Sequence, residues 1–122
     1  MFKFLGKVRK GQNRGKHLGF PTANVDLHHK ISEGVYLSQI KIKKDQFSAL
    51  TFIGNATTFN ENKYHSETYI LNFDKDIYGM YVSIKLLKKL RGNVKFKSEK
   101  ELIKQMEKDT KLAKDYFKNT KI

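Results

Sequence analysis

The chain has no cysteine and a single proline among its 122 residues, and acidic side chains are scarce: 12 Asp and Glu against 25 Lys and Arg. The first absence excludes disulfides and thiolate metal sites and makes a reducing, cytoplasmic compartment the expected one. Long hydrophobic runs are missing too; none approaches the roughly 20 residues of a membrane span. The N-terminal MFKFLGKVRK is too short and too charged for a signal peptide. No repeat, low-complexity tract or linker interrupts the chain, so residues 1–122 are expected to form one domain, monomeric and without a membrane partner. The four histidines, His17, His28, His29 and His65, show no metal-ligand spacing with carboxylates.

The shortage of acid leaves a net charge of +13. Such an excess suits nucleic acid, but it attracts a nucleotide or phosphate equally. The lysines are spread along the chain, as at Lys41, Lys43, Lys85 and Lys97. That pattern is a solvated surface more often than a binding stripe.

Alternation of apolar and polar residues predicts strands over Phe2–Arg9, briefly over Ala23–Leu27, and over Gly34–Lys43, Gln46–Ile53, Glu67–Phe73 and Met80–Lys88. Asp45-Gln46 is the expected turn of the third and fourth. Consecutive strands with short connections should pair antiparallel, and five or six around a small core favour a closed barrel. One helix is predicted, over about 98–118. Ser98 and Glu101 form a capping box, and Leu102, Ile103, Met106, Thr110, Ala113, Tyr116 and Phe117 recur at helical spacing. That stripe should pack on the outside of the barrel.

The densest chemistry lies in GQNRGKHLGFPTAN, Gly11 to Asn24, which gathers three glycines, three basic side chains and the only proline. Glycine lets a backbone approach a ligand and aim N–H groups at it, and neighbouring cations favour phosphate. Thr22 and Asn24 add two hard oxygen donors of the kind Mg²⁺ accepts alongside phosphate oxygens. An ordinary surface loop has the same composition. The Lys-Ser/Thr ending of a Walker A loop is missing. Glu67 is the carboxylate out of place, in register with Tyr69, Leu71 and Phe73 on a strand. It either sits at a mouth, where it could serve as a general base, or opens the strand and pairs with a lysine. Arg91 and Phe96, between the last strand and the helix, could cover a planar ligand or simply anchor a loop.

These residues resemble the riboflavin kinase (flavokinase) family, over about Gly6 to Asp109. The resemblance is carried by Gly11–Gly15, Leu18-Gly19-Phe20-Pro21-Thr22-Ala23-Asn24, Gly34-Val35-Tyr36, Ile53-Gly54, Thr58-Phe59, Glu67-Thr68-Tyr69-Ile70-Leu71, Phe73, Ile77-Tyr78-Gly79, Arg91 and Lys95-Phe96. It implies a mainly β fold: a closed six-stranded antiparallel Greek-key barrel with a C-terminal helix outside. It implies transfer of the γ-phosphate of ATP to the ribityl 5′-hydroxyl of riboflavin, with Mg²⁺ or another divalent cation. Carried over by position, Thr22 and Asn24 would hold the metal. Gly11, Arg14, Gly15, Lys16, Gly19 and Pro21 would join them in holding ATP and its phosphates. Glu67 would be the catalytic base and touch the flavin, and Arg91 and Phe96 would belong to the flavin cover. Two positions depart from the family pattern: Ala56-Thr57 before Thr58-Phe59, and Asn93 where a glutamate is common. No adenylyltransferase half accompanies this stretch, so FAD synthesis is not expected from it. The competing readings are a basic barrel that binds nucleic acid and a flavin sensor without turnover. The first is disfavoured because Phe and Tyr fall on core faces; the second needs no base at position 67.

Overall fold

Alternation of side chains between two faces builds six strands in the computed structural model, which describes residues 2–9, 22–55, 64–93 and 96–119. They are β1 (Phe2–Lys7), β2 (Ala23–Asp26), β3 (Gly34–Ile42), β4 (Asp45–Asn55), β5 (Tyr64–Ile70) and β6 (Tyr81–Arg91), followed by the helix α1 (Glu99–Asn119). All neighbours pair antiparallel in the order β1-β6-β3-β4-β5-β2. The meander β3-β4-β5 is flanked by β6 on one side and β2 on the other, a Greek-key arrangement.

The two ends of that order approach each other and nearly close the barrel. The Arg9 N–H donates to the Asn24 carbonyl at 2.7 Å. Arg9 Nε lies 3.2 Å from Asp26 Oδ2, an exposed pair that contributes little by itself. Gly6 is required at this seam, because a Cβ there would strike the Val25 side chain.

Inside the barrel, Val25, Ile40, Ile53 and Ile84 are at most 1 % exposed. The same interior holds four hydroxyls with no exposure at all, on Ser38, Thr51, Ser66 and Thr68. Each has a partner: Ser38 bonds Thr51 at 2.8 Å, Thr51 bonds Thr68 at 2.9 Å, and Ser66 donates to the Val25 carbonyl at 2.8 Å. Burying them unpaired would cost about 1–3 kcal/mol each.

Outside, α1 covers β3, β4 and β5 through a second cluster of Val35, Leu37, Leu50, Leu71 and Ala113. Ser98 caps the helix: the Glu101 N–H donates to Ser98 Oγ at 3.2 Å, and Glu101 Oε2 reaches back one residue further than in a standard capping box, accepting from the Lys97 N–H at 3.0 Å.

The structure moves several expected boundaries. The β3–β4 turn is Lys43-Lys44 rather than Asp45-Gln46, with Ile42 paired to Asp45 and Lys43 in the left-handed region at φ 57°. Two lysines lack the glycine or asparagine that normally marks such a turn. β5 begins at Tyr64 and ends at Ile70, so Phe73 leaves the Glu67 face and packs against the barrel interior. β6 runs on to Arg91 because its far end still has β3 to pair with.

Candidate active site

Alternation along β5 sends Ser66 and Thr68 inward and leaves His65, Glu67 and Tyr69 on the outer face. On β2 it buries Ala23 and Val25 and turns Asn24 and Asp26 outward. Register then sets the neighbours. Asn24 stands opposite Glu67, Glu67 opposite Phe52, Phe52 opposite Val35, and Val35 opposite Arg91. One cross-strand row therefore runs Asn24, Glu67, Phe52, Val35, Arg91 over five strands. At a spacing of about 4.8 Å per strand, Glu67 and Arg91 lie about 14 Å apart along the sheet.

Glu67 sits where the covered part of this face meets the open part. Tyr69, two residues on, packs under α1, whereas the Glu67 side chain keeps 33 % of its exposure. Thr22, half-buried, precedes β2 and is separated from Asn24 by the buried Ala23. The structure thus brings Thr22, Asn24 and Glu67 to one edge of the barrel. Gly11, Arg14, Gly15, Lys16, Gly19 and Pro21 lie outside the described residues, as do the Ala56-Thr57 departure and Thr58-Phe59.

Three residues at this face were not picked out by the sequence, two of them beside Glu67. His65 shares its strand face, and its Nε2 lies 3.8 Å from Glu67 Oε2, an ion-pair distance too long for a hydrogen bond. Its pKa is raised above the ordinary value of 6.5. The Glu67 carboxylate is the main cause; burial opposes it, and Asp26 and the Gly54 backbone add to the rise. His65 Nδ1 is buried with no hydrogen-bond partner among the described residues. Phe52 walls the other side of Glu67. Its ring leans over Gly54, where a Cβ would come within 2.6 Å of it, and meets the His65 ring edge-on at 6.4 Å. The third residue is Asp109, discussed with Arg91. The signal for His65 was its position two residues before Glu67, which on a strand means the same face.

At the other end of the row, Arg91 does not point freely into solvent. Its guanidinium forks onto Asp109 of α1, with Nε 3.1 Å from both carboxylate oxygens and Nη2 2.8 Å from Oδ2. Phe96 is half-buried on the segment that follows. Asn93, between them, donates from Nδ2 to the Ile53 carbonyl at 3.3 Å. A glutamate at that position could not make this bond, since an ionised carboxylate only accepts. The departure at 93 therefore replaces an acceptor with a tie between the loop and β4.

Among the described residues no cluster of three or more His, Cys, Asp or Glu could hold a metal ion by itself. Thr22 and Asn24 fit a divalent cation of another kind, one that brings most of its oxygens from a polyphosphate and water. Asp26 is turned to Arg9 instead. No helix among the described residues is long and apolar enough to cross a membrane.

The family model described as "Flavokinase: Riboflavin kinase" matches residues 1–117. The chain is 34% identical to the bifunctional riboflavin kinase/FMN adenylyltransferase of Bacillus subtilis over 120 residues, covering 93% of this chain and 38% of that protein. It is 35% identical over 119 residues to the trifunctional protein RibF/MnmA of Mycoplasmoides gallisepticum, covering 95% of this chain and 18% of that one. The chain thus spans less than half the length of these relatives. Among solved structures, a Streptococcus pneumoniae protein named as a macrolide-efflux protein superposes with a TM-score of 0.84 at 30% identity, covering 92% of this chain and 38% of that one. Riboflavin kinase from Trypanosoma brucei superposes with a TM-score of 0.67 over 96% of this chain and 80% of that one; at 22% identity this shows a shared fold. On the match of the family model over nearly its whole length, the chain belongs to the riboflavin kinase (flavokinase) family.

Proposed function

We propose that this chain transfers the γ-phosphate of ATP to the 5′-hydroxyl of the ribityl chain of riboflavin, producing FMN and ADP. The observation that carries the reading is the row from Asn24 through Glu67 and Phe52 to Arg91. It offers hard oxygen donors at one end, a carboxylate beside them, an apolar wall next, and a tethered loop at the far end. That order matches a substrate with a phosphate-accepting alcohol on a short flexible chain and a flat tricyclic ring beyond it.

In this reading Glu67 accepts a hydrogen bond from the attacking hydroxyl and takes its proton as the new O–P bond forms. The bond between the γ-phosphorus and the bridging oxygen breaks, and ADP leaves with the electron pair. Phosphoryl transfer asks for alignment and charge compensation more than covalent help. A divalent cation arriving with ATP would supply the compensation. Thr22 Oγ1 and the Asn24 side-chain oxygen would hold it, and the Gly11–Gly19 loop with Arg14 and Lys16 would wrap the phosphates. Phe52 excludes water from one side of Glu67, and Phe96 lies on the loop expected to cover the ring. The absence of cysteine and of any membrane-spanning helix among the described residues supports a cytosolic protein, expected to act as a monomer.

The direct test is incubation with riboflavin, MgCl₂ and ATP, followed by chromatography. FMN and ADP should appear in equal amounts and depend on the divalent cation. ADP without FMN, or neither product, rejects the assignment.

A further inference from the structure

The segment 92–98 joins β6 to α1, and side chains tie down both of its ends. At the start, Asp109 receives the Arg91 fork described above and a further hydrogen bond from Gln105 Nε2 at 2.9 Å. Arg91 Nη1 also donates to the Gly92 carbonyl at 3.0 Å, so the same side chain grips the first residue of the segment. At the end stands the Ser98 helix cap, and between them Asn93 is bonded to the Ile53 carbonyl.

We propose that Asp109 is a positioning residue for the flavin end of the site: by clasping Arg91 it presets Asn93 and Phe96, which lie between Arg91 and the helix start, before substrate arrives. This rests on the riboflavin reading given above. The Asp109 side chain is only 5% exposed and lies in the middle of the helix stripe that packs on the barrel. Apolar residues of similar volume in place of both partners would stabilise that packing at least as well, because burying a charge pair costs about as much as its attraction returns. What a carboxylate adds is direction. A bidentate fork fixes the distance and the angle between its partners. Here the partners are the last residue of β6, in the same cross-strand row as Glu67, and the helix that closes the other end of the segment. A ring-covering loop that is already ordered spares the substrate the cost of ordering it.

The test compares Asp109→Asn and Asp109→Glu with the unsubstituted protein. Asparagine keeps the shape and removes the charge; glutamate keeps the charge but, one methylene longer, cannot hold the fork at the same distance. Both should raise the KM for riboflavin by about tenfold, the scale of ordering one or two side chains on binding. The kcat and the KM for ATP should stay within about twofold, the level at which no lost contact is implied. Riboflavin affinity read from quenching of flavin fluorescence, without ATP, should fall by the same factor. If Asp109→Asn does not fold, Asp109→Glu carries the test alone. An unchanged riboflavin KM in a folded variant overturns the proposal. So do losses that fall equally on both substrates and kcat and track the melting temperature, which would mean packing only. A parent protein that quenches flavin but makes no FMN defeats the kinase assignment and leaves the binding comparison to decide on Asp109.

Discussion

Asn24 and Glu67 face each other directly across the β2–β5 ladder, and the Asn24 backbone is held on its other side by the Arg9 N–H. Directly opposed residues keep their Cβ atoms about 4.5–5.5 Å apart. The proposed metal ligand and the proposed base are therefore set by strand pairing rather than by a loop. The barrel needs to be intact for the two to meet, and little else.

Glu67→Gln should lower kcat by roughly 10²–10⁴, the range for a positioned acid or base. The melting temperature should hardly move, since the carboxylate keeps a third of its exposure and has only the long His65 contact as an ion pair among the described residues. Steady-state kinetics beside a thermal melt separates the two. Turnover near the parent's removes Glu67 from the base role.

Thr22→Val keeps the size and branching and deletes the hydroxyl. It should weaken Mg-nucleotide binding more than flavin binding, because Thr22 stands at the Asn24 end of the row. Calorimetric titration of each ligand decides; the opposite order rejects Thr22 as a metal-side group.

His65 gives the site a pH-dependent partner. Its pKa in the folded protein is raised above 6.5, so folding favours the protonated ring. The stabilisation is fully present below the unfolded value and is lost as pH rises through the folded one. His65→Gln should therefore cost a few tenths to about 1 kcal/mol at mildly acidic pH and close to nothing in alkaline buffer. Melts in buffers on either side of the transition measure the difference. Equal losses at both would show that packing against Phe52, not charge, is what His65 provides.

Strand β6 was legible because its alternation is clean: Val82, Ile84 and Leu86 point in, and Tyr81, Ser83 and Lys85 point away. The capping box located the helix start for the same reason, being a local device. Glu67 stood out as a carboxylate among large apolar residues, but its face was read through Phe73, which the chain turns elsewhere once β5 ends at Ile70. What could not be read was register. The row linking Asn24 to Arg91 depends on four pairings, and two of them, β2 with β5 and β3 with β6, join strands far apart in sequence that no local pattern encodes. Asp109 went unnoticed although it falls three residues after Met106 and four before Ala113, within the apolar stripe. A buried acid in such a stripe is the trace of a partner elsewhere, here eighteen residues earlier at Arg91.

Gly34 couples the row to the stability of the barrel. It opens β3 at φ 152°, where side chains are strained, and a Cβ there would lie 2.5 Å from the Arg91 carbonyl oxygen and 2.6 Å from Lys89 Cε. The lysine end can swing away; the carbonyl belongs to the ladder and cannot. Gly34→Ala should push the start of β3 from the end of β6 and cost about 1–3 kcal/mol, the range for overpacking and backbone strain. For a domain of this size that is a fall of roughly 3–18 °C in Tm, at about 3–6 °C per kcal/mol. Because the atom displaced is the carbonyl of Arg91, riboflavin KM should rise as well. Gly92 provides the control: a Cβ there meets nothing within 4 Å, and alanine should shift stability by no more than about 0.5 kcal/mol. Thermal melts and riboflavin KM of the two variants, side by side, test the coupling, and a Gly34→Ala protein that melts and binds flavin like the Gly92→Ala protein refutes it.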